Sequence, residues 1–533
     1  MDHQLLFVIL VLFILVAAVS VLAERAQFPS PILMLLAGGA LAFVPGVPAI
    51  RLDPDVVLLL LLPPLLYYGG VGMSWRGFRS NLRPILMLAV GCVLFTAASV
   101  AFIMHELLGT AWAAGFVLGA IVSPPDAVAA LALLRSVRLP RRILTVLEGE
   151  SLANDATALV ILGIALQALT TGRFSLADAT LRFLAIAVGE VAFGVALGWL
   201  ALRARHLARA PRAEVLLALA TPYVAFWPPH ALGGSGVIAC VAAGLYVSWN
   251  GRRLIAPDTR LQGYFIWDLV VWATESLVFL LGGLQARVVS EAVGRVGWGH
   301  ALAVGGLVTL TVVVVRFVWV FPATYVPRVL VPSWHRGEPQ ADWRTPFVIA
   351  FAGIRGVDSL AAALLVPAFV NGSVFGERDL IVFSTYLVIG VTIVLLGAML
   401  PALLRALGLT HVGRLEAEAN RRDEQKVRLE GVDAVIGFLK RVGAEGKRSV
   451  GWLCHAYDER RRALVEGIRP TPEDPATEAA RLEREIVRIE REAVARAYDE
   501  NRLTDEARRR IERELDLEEA RIATRHANSV RVS

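Results

Sequence analysis

Long apolar blocks, separated by short polar loops, fill the first three quarters of the chain and restrict its fold more than any other feature. About 20 consecutive apolar residues are enough for a helix to cross a bilayer. Because no water inside the bilayer can pair with backbone groups, each block must form a helix. The sequence therefore predicts an all-α polytopic membrane protein, with thirteen spans at approximately residues 5–22, 31–49, 55–72, 83–105, 110–134, 148–170, 181–202, 213–228, 233–249, 263–286, 300–322, 345–369 and 380–403.

The composition agrees with membrane immersion and excludes several other classes of protein. Of the 533 residues, 56% are hydrophobic and only 19% are charged, whereas soluble proteins carry about 25% charged residues. The net charge of +6 is modest and spread over short loops, which does not indicate a nucleic-acid partner. The chain has no Walker loop and no Cys-x-x-Cys pair. We therefore expect no nucleotide-driven chemistry, disulfide framework or zinc site.

Arginines in the loops predict how the spans are oriented, because cytoplasmic loops carry an excess of Lys and Arg. One set of alternate loops holds 18 arginines and the opposite set holds 6. We expect a cell-membrane protein with its N-terminus outside and its C-terminus in the cytoplasm. The stretch Leu5–Leu22 lacks the basic flank of a signal peptide and is interpreted as the first span.

The composition changes after Leu409, where the chain becomes rich in Arg and Glu with helical charge spacing. Residues 1–409 are predicted to form the transmembrane domain, and residues 410–533 a cytoplasmic helical tail. The tail shows no strand followed by a Gly-rich turn and a helix, so nothing indicates a nucleotide-sensing domain.

The predicted fifth span is interrupted by the motif Ser123-Pro124-Pro125-Asp126. Two consecutive prolines cannot continue the helical hydrogen bonds, so the span must break there. A break frees carbonyl oxygens that can coordinate a cation, and it places Asp126 beside the end of a half-helix. Carboxylates at membrane depth are costly and usually mark an ion path. The motif therefore predicts part of a cation site rather than a simple proline kink.

A second acidic motif opens the sixth span, where Glu150, Ser151, Asn154 and Asp155 follow at helical spacing. Ser151 and Asp155 share one face of a helix, and Glu150 and Asn154 form the adjacent pair. A hydroxyl and a carboxylate on one face make a small oxygen-lined cation site. Asp155 is the strongest candidate for binding a proton and a cation alternately.

The twelfth span carries Gly353, Arg355, Gly356 and Asp358. The two glycines allow an unwound segment, and the arginine is permanently charged. Because a buried guanidinium needs a carboxylate partner, we predict a structural ion pair between Arg355 and Glu150.

The interrupted fifth and twelfth spans are seven apart, and an odd offset gives repeats of inverted topology. Two interrupted spans at corresponding positions of inverted repeats indicate a transport site at the membrane midplane. Glu275 in the tenth span and Asp358 are accessory candidates. For Glu275 a packing contact between helices is an equally open interpretation, and no role for Asp358 follows from the pattern.

These motifs resemble the monovalent cation:proton antiporter-1 family, the sodium/proton exchangers that include the NhaP-type bacterial antiporters. The resemblance covers roughly residues 5–405 and rests on Leu62-Pro-Pro-Leu-Leu66, Ser123-Pro-Pro-Asp126, Gly149-Glu-Ser-Leu-Ala-Asn-Asp155 and Gly353-Ile-Arg-Gly356. It implies a homodimer in the lipid bilayer, a core with two crossed broken helices, and exchange of Na⁺, or in some members K⁺ or Li⁺, for H⁺.

The resemblance also implies roles for the site residues. Asp155 becomes the ion-binding aspartate and Asn154 its structural neighbour, while Ser151 and Asp126 complete the site. The ion pair predicted above is implied as well. An asparagine directly before the aspartate is the family's usual mark of electroneutral exchange.

Two positions depart from the family pattern. Where the family commonly has Thr before the aspartate of the broken fifth span, this chain has Pro125, so an ion contact there must come from a backbone carbonyl. Ser123 is kept among the ion-binding candidates. Tyr67-Tyr68 stands where the family often has an acid after Pro-Pro, so an acid that could tune the pH response is missing there.

The sequence thus predicts a secondary antiporter rather than an enzyme, exchanging Na⁺ for H⁺ with 1:1 electroneutral stoichiometry. K⁺/H⁺ exchange is the alternative within the class, and a gated cation channel is a less favoured alternative outside it. An enzyme would need a nucleophile–base pair or a metal triad, and no histidine lies near these acids in the sequence. We expect no catalytic residue and no cofactor, with the cation and the proton as substrates.

Overall fold

A computed structural model describes residues 3–26, 28–45, 54–126, 130, 139–208, 210–255, 257–330, 342–370, 373–444, 451–466 and parts of 486–522. The chain divides into two compact units, Met1–Gly413 and Arg414–Ser533. Most of the second half of the predicted fifth span, residues 127–129 and 131–134, lies outside the described residues, as do residues 135–138.

The described part of the first unit is built mainly from helices. They are α1 (His3–Ala26), α2 (Ser30–Ala42), α3 (Val56–Gly72), α4 (Trp75–Ser80), α5 (Leu82–Leu108), α6 (Trp112–Val122), α7 (Arg141–Thr171), α8 (Leu176–Ala208), α9 (Pro211–Ala231), α10 (Val237–Leu254), α11 (Pro257–Leu284), α12 (Ala286–Val296), α13 (Trp298–Leu330), α14 (Arg344–Phe351), α15 (Asp358–Leu364) and α16 (Arg378–Ala406). Two antiparallel strands of two residues each, β1 (Phe369–Val370) and β2 (Ser373–Val374), lie between α15 and α16.

Helices or half-helices occupy all thirteen predicted segments, so the all-α polytopic fold is confirmed. Within the described ranges, six helical stretches are long and apolar enough to cross a membrane: Leu82–Leu108, Arg141–Thr171, Leu176–Ala208, Gln262–Gly294, Trp298–Leu330 and Arg378–Ala406. Large apolar side chains along α8 are exposed, as contact with lipid requires: Leu181, Leu184, Val188, Trp199 and Leu200. The number of thirteen spans stays a prediction.

The helices of the first unit pack in two groups. In one group α8 and α3 pack on α10, α9 packs on α8, and α2 packs on α11. In the other group α5 and α7 pack on α6, and α13 packs on α5, α14 and α16. Both interrupted spans belong to the second group, and α7 also contacts α3 and α10 of the first. The acidic motif on α7 therefore lies where the two groups meet.

The second unit contains the greater part of α17 (Leu409–Ala444) and all of α18 (Gly451–Glu466). Val432, Ile436 and Leu439 are buried on α17, at the spacing of one face of an amphipathic helix. The assignment of residues 410–533 to the cytoplasm stays a prediction.

Candidate cation site

The two interrupted spans meet at their breaks. The non-helical residues 123–126 follow α6, and the non-helical residues 352–357 separate α14 from α15. The backbone N–H of Asp126 donates a 2.7 Å hydrogen bond to Ile354 O, which joins one break to the other. The two interruptions predicted from the sequence are therefore present, and they contact each other.

Each break follows from its local sequence. The two prolines of the fifth span have no backbone N–H for a helical bond. In the twelfth span the glycines permit close approach, because a Cβ on Gly353 would lie 2.6 Å from Arg316 Nε. A Cβ on Gly356 would lie 2.7 Å from Asp126 Cβ. Both distances are too short for non-bonded atoms, so only glycine fits at these two positions.

Asn154 connects α7 to the first break. Its side chain is fully buried, and its Nδ2 donates a 2.6 Å hydrogen bond to Pro125 O. This bond pairs a carbonyl of the non-helical segment, which would be costly to bury alone. The Asn154 Oδ1 has no hydrogen-bond partner in the described part of the chain. The Pro125 carbonyl, predicted to contact the ion, thus accepts an amide hydrogen bond in this structure.

Asp155 and Asp358 line a single cavity of about 30 Å³. That volume gives room for one or two water-sized species. Ser359 and Pro124 form part of the wall, and the other lining side chains are apolar: Leu58, Leu62, Ala120, Ile121, Ala158, Leu159, Leu162 and Ala362. The prediction that centred the site on Asp155 did not identify Ser359, and it left Asp358 without a role.

The aspartates of this region repel one another. Asp155 lies within the electrostatic reach of Asp358 and Asp126, and Asp358 within that of Asp126. Among the residues that the structure describes, no three His, Cys, Asp or Glu side chains are close enough together to hold a metal ion. Asp126 is not among the described residues that line the cavity. Carboxylate oxygens suit hard cations, and a cation in the cavity would relieve the repulsion within the pair.

Glu150 has a different partner from the predicted one. Arg316 of α13 donates from Nη1 to Glu150 Oε1 at 2.5 Å and from Nη2 to Glu150 Oε2 at 2.8 Å. The prediction of a Glu150–Arg355 pair is wrong, because an arginine from another span reaches this carboxylate with two parallel hydrogen bonds. Arg316 is the only arginine in the apolar segment 300–322. A charged residue inside an apolar span usually has a buried partner, so this position could have identified Arg316 as a candidate partner of Glu150.

Arg355 instead joins the two breaks. It is fully buried, and its Nη1 donates a hydrogen bond to Ser123 O. Its backbone N–H donates to Thr392 Oγ1 at 3.0 Å, where α16 widens into a π-helical turn. The guanidinium thus pairs with a carbonyl that the first break leaves without a helical partner. Thr392, which sequence analysis missed, accepts a hydrogen bond from the backbone of the second break.

The remaining predicted site residues do not line the cavity. Ser123 is buried, and its Oγ donates to Ala120 O at 3.0 Å. Ser151 is half-buried one helical turn before Asp155. Glu275, half-buried on α11, is not brought to the cavity either.

A further buried carboxylate, Glu190 of α8, was missed by sequence analysis. It accepts hydrogen bonds from the backbone N–H groups of Ser235 at 2.5 Å, Gly236 at 2.9 Å and Ile238 at 3.2 Å. These donors surround the N-terminus of α10, where a carboxylate offsets unpaired amides and the positive end of the helix dipole. Glu190 lies inside the apolar segment 181–202, and this position could have identified it from the sequence as a buried carboxylate with a specific partner.

An acid also lies beside the tyrosines that follow the Pro-Pro motif of the third span. Tyr68 donates from its hydroxyl to Asp268 Oδ1 at 2.7 Å, and its ring stacks on Trp267 at 5.5 Å. The acid that the sequence lacks on the third span is thus supplied to this region from α11.

Two interrupted helical spans that meet beside buried acids are typical of a secondary ion transporter. The family model for the transmembrane domain of sodium/hydrogen exchangers matches residues 9–406. The chain therefore belongs to the sodium/hydrogen exchanger family and is a multi-pass membrane cation/proton antiporter.

Individual relatives agree with this assignment. The chain is 33% identical to the uncharacterized Na(+)/H(+) exchanger Rv2287 of Mycobacterium tuberculosis, across 98% of this chain and 97% of that protein. It is 32% identical to the sodium, potassium, lithium and rubidium/H(+) antiporter of Bacillus subtilis, across 75% of this chain and 61% of that protein. The sodium proton antiporter MjNhaP1 from Methanocaldococcus jannaschii shares the fold, with a TM-score of 0.61 at 20% identity over 76% of this chain and 100% of that one.

Proposed function

We propose that this protein exchanges Na⁺ for H⁺ across the cell membrane by alternate binding of the two ions at Asp155. The proposal rests on the position of this carboxylate, which lines a cavity together with residues of both interrupted spans. A proton and a cation both neutralise a carboxylate, so each disfavours the binding of the other. Competition at one group couples the two ion movements.

Alternating access requires movement of one group of helices against the other. We place the moving core in the group that carries both breaks, with α7 at its boundary. The other group, which includes α1–α3 and α8–α11, then forms the interface of a homodimer. The N-terminus lies outside the cell and residues 410–533 lie in the cytoplasm.

Glu150 has a structural rather than an ion-exchanging part in this scheme. Both of its oxygens accept hydrogen bonds from Arg316, and its side chain is 1% exposed. Glu150 is also not among the described residues that line the cavity. Exchange is therefore assigned to the acids that face the cavity.

The cation is identified by measuring proton flux in proteoliposomes. A pH-sensitive dye inside the vesicles should dequench when Na⁺ is added, and parallel additions of K⁺ and Li⁺ give the selectivity. The Bacillus subtilis relative is named for potassium as well as sodium, which makes K⁺/H⁺ exchange the second candidate. Cation current without coupled proton flux would instead mean a channel and contradict the proposal.

Transport is expected to be electroneutral, one cation for one proton. Asn154 cannot ionise, so binding of either ion at Asp155 changes the site by the same single charge. The null point of opposed Na⁺ and pH gradients should then stay fixed when a K⁺/valinomycin potential is imposed, once K⁺ itself is shown not to be transported. A null point that moves with the potential would mean that a second aspartate, Asp358 or Asp126, also exchanges its proton.

A further inference from the structure

We propose that Asp358 is a second carboxylate ligand of the transported cation, facing Asp155 across the same cavity. The inference rests on the proposed function and names a further residue of that site. In this arrangement the cation is held between an acid of α7 and an acid at the start of α15. The resemblance to the exchanger family supplies no role for an acid at position 358.

The geometry of the cavity supports the pairing. Asp155 and Asp358 contribute the two carboxylates of its lining, and its volume is only about 30 Å³. Ser359 adds a hydroxyl beside them, while most of the remaining wall is apolar. Two ionised carboxylates across so small a space repel strongly, and an apolar wall does little to screen them. One monovalent cation between them removes that repulsion.

The basic residues of this region are engaged elsewhere. Arg316 forms its ion pair with Glu150, and Arg355 donates to Ser123 O. Among the described residues that line the cavity, none is Arg, Lys or His. A substrate cation is thus the positive charge that the pair of acids can accept.

The charge balance of a two-carboxylate site is compatible with one-for-one exchange. When the pair shares one proton, one carboxylate is neutral and the other ionised, and the site carries one negative charge. When a monovalent cation displaces that proton, both carboxylates are ionised and the site again carries one negative charge. The proton leaves to water and no other group changes its charge.

Cation binding to the full-length protein in detergent tests the inference without relying on transport. A ligand that binds the folded state raises the melting temperature, so titration with NaCl at constant ionic strength, balanced with N-methyl-D-glucamine chloride, gives an apparent Kd. Asp358→Asn should raise that Kd by at least about tenfold, because even outer-sphere changes at metal sites reach that size. Asp178→Asn, the same change at an exposed helix start, should leave it at the wild-type value.

The outcomes separate this inference from the proposed function. Wild-type Na⁺ affinity in Asp358→Asn would overturn the role of Asp358 while exchange by the wild-type protein could still be intact. Loss of Na⁺ stabilisation in the variant, with no Na⁺-dependent proton flux in wild-type proteoliposomes, would support the ligand and contradict the antiport. If Asp358→Asn does not fold, Asp358→Ser gives the same readout with a smaller side chain. A wild-type protein that Na⁺ and K⁺ do not stabilise at all would overturn the inference.

Discussion

Replacing Arg316 by Met should strongly destabilise the core of the protein. The guanidinium holds both oxygens of Glu150 and also donates to Ile349 O at 3.0 Å and 3.3 Å. Methionine keeps much of the side-chain volume but removes all these donors. The carboxylate is then left in an environment where only 1% of its side chain is exposed.

The size of the effect follows from the burial of the charge that remains. Removing one partner of a buried ion pair costs about 3–5 kcal/mol, because the other charge stays desolvated without compensation. Replacing both partners by neutral groups removes that penalty. Arg316→Met should therefore lower the free energy of unfolding by about 3–5 kcal/mol, and adding Glu150→Gln should restore much of the loss.

A double-mutant cycle in detergent measures this coupling. The free energy of unfolding is obtained by titration with sodium dodecyl sulfate, followed by circular dichroism, for the wild type, both single variants and the double variant. The matched control is the cycle of Arg355→Met with Glu150→Gln. The Arg355 guanidinium donates to Ser123 O rather than to Glu150, so this second cycle should show the smaller coupling energy.

The opposite order of the two coupling energies would refute the pairing of Glu150 with Arg316. If Arg355 and Glu150 show a larger coupling energy than Arg316 and Glu150, the buried carboxylate is paired as the sequence motif first indicated. Additive effects in the Arg316 cycle would mean that the two parallel hydrogen bonds do not persist in the folded protein.

Two further variants test separate parts of the structure. Asp155→Asn should abolish Na⁺-dependent proton flux while gel filtration shows a folded protein, because an amide cannot take up and release the exchanged proton; wild-type flux in this variant would remove Asp155 from the mechanism. Glu190→Gln should lower the free energy of unfolding by about 1–3 kcal/mol, since a neutral amide cannot match the charge-assisted bonds to the α10 N-terminus. Unchanged stability in that variant would show that the bonds from Ser235, Gly236 and Ile238 add nothing.

The breaks in the two spans could be predicted from the sequence because their causes are local. Two adjacent prolines stop a helix wherever they occur, and glycines on either side of an arginine allow an irregular segment. The placement of Asp155 and Asn154 also follows from local spacing, since adjacent residues on a helix project about 100° apart. One then faces the cavity while the other pairs with the first break.

The partner of Glu150 could not be predicted, because it depends on distances between helices remote in sequence. Two arginines, Arg316 and Arg355, lie in the interior of the predicted apolar spans, and charge complementarity alone does not choose between them. Arg316 lies 166 residues from Glu150 in the chain, yet it is the one whose guanidinium reaches both oxygens. Close packing against Gly353 helps to decide this, because the absent Cβ leaves room for the Arg316 side chain.

The two buried arginines have different partners, which bears on the acids that the proposed exchange can use. Arg316 forms two parallel hydrogen bonds with Glu150. Glu150 is not among the described residues that line the cavity, so the proposed exchange does not include it. Arg355, by contrast, donates to a backbone carbonyl of the first break, and within the described residues its guanidinium has no carboxylate hydrogen-bond partner. In the proposed mechanism the acids that face the cavity are therefore available to bind a proton or a cation, which a pairing of Arg355 with either of them would prevent.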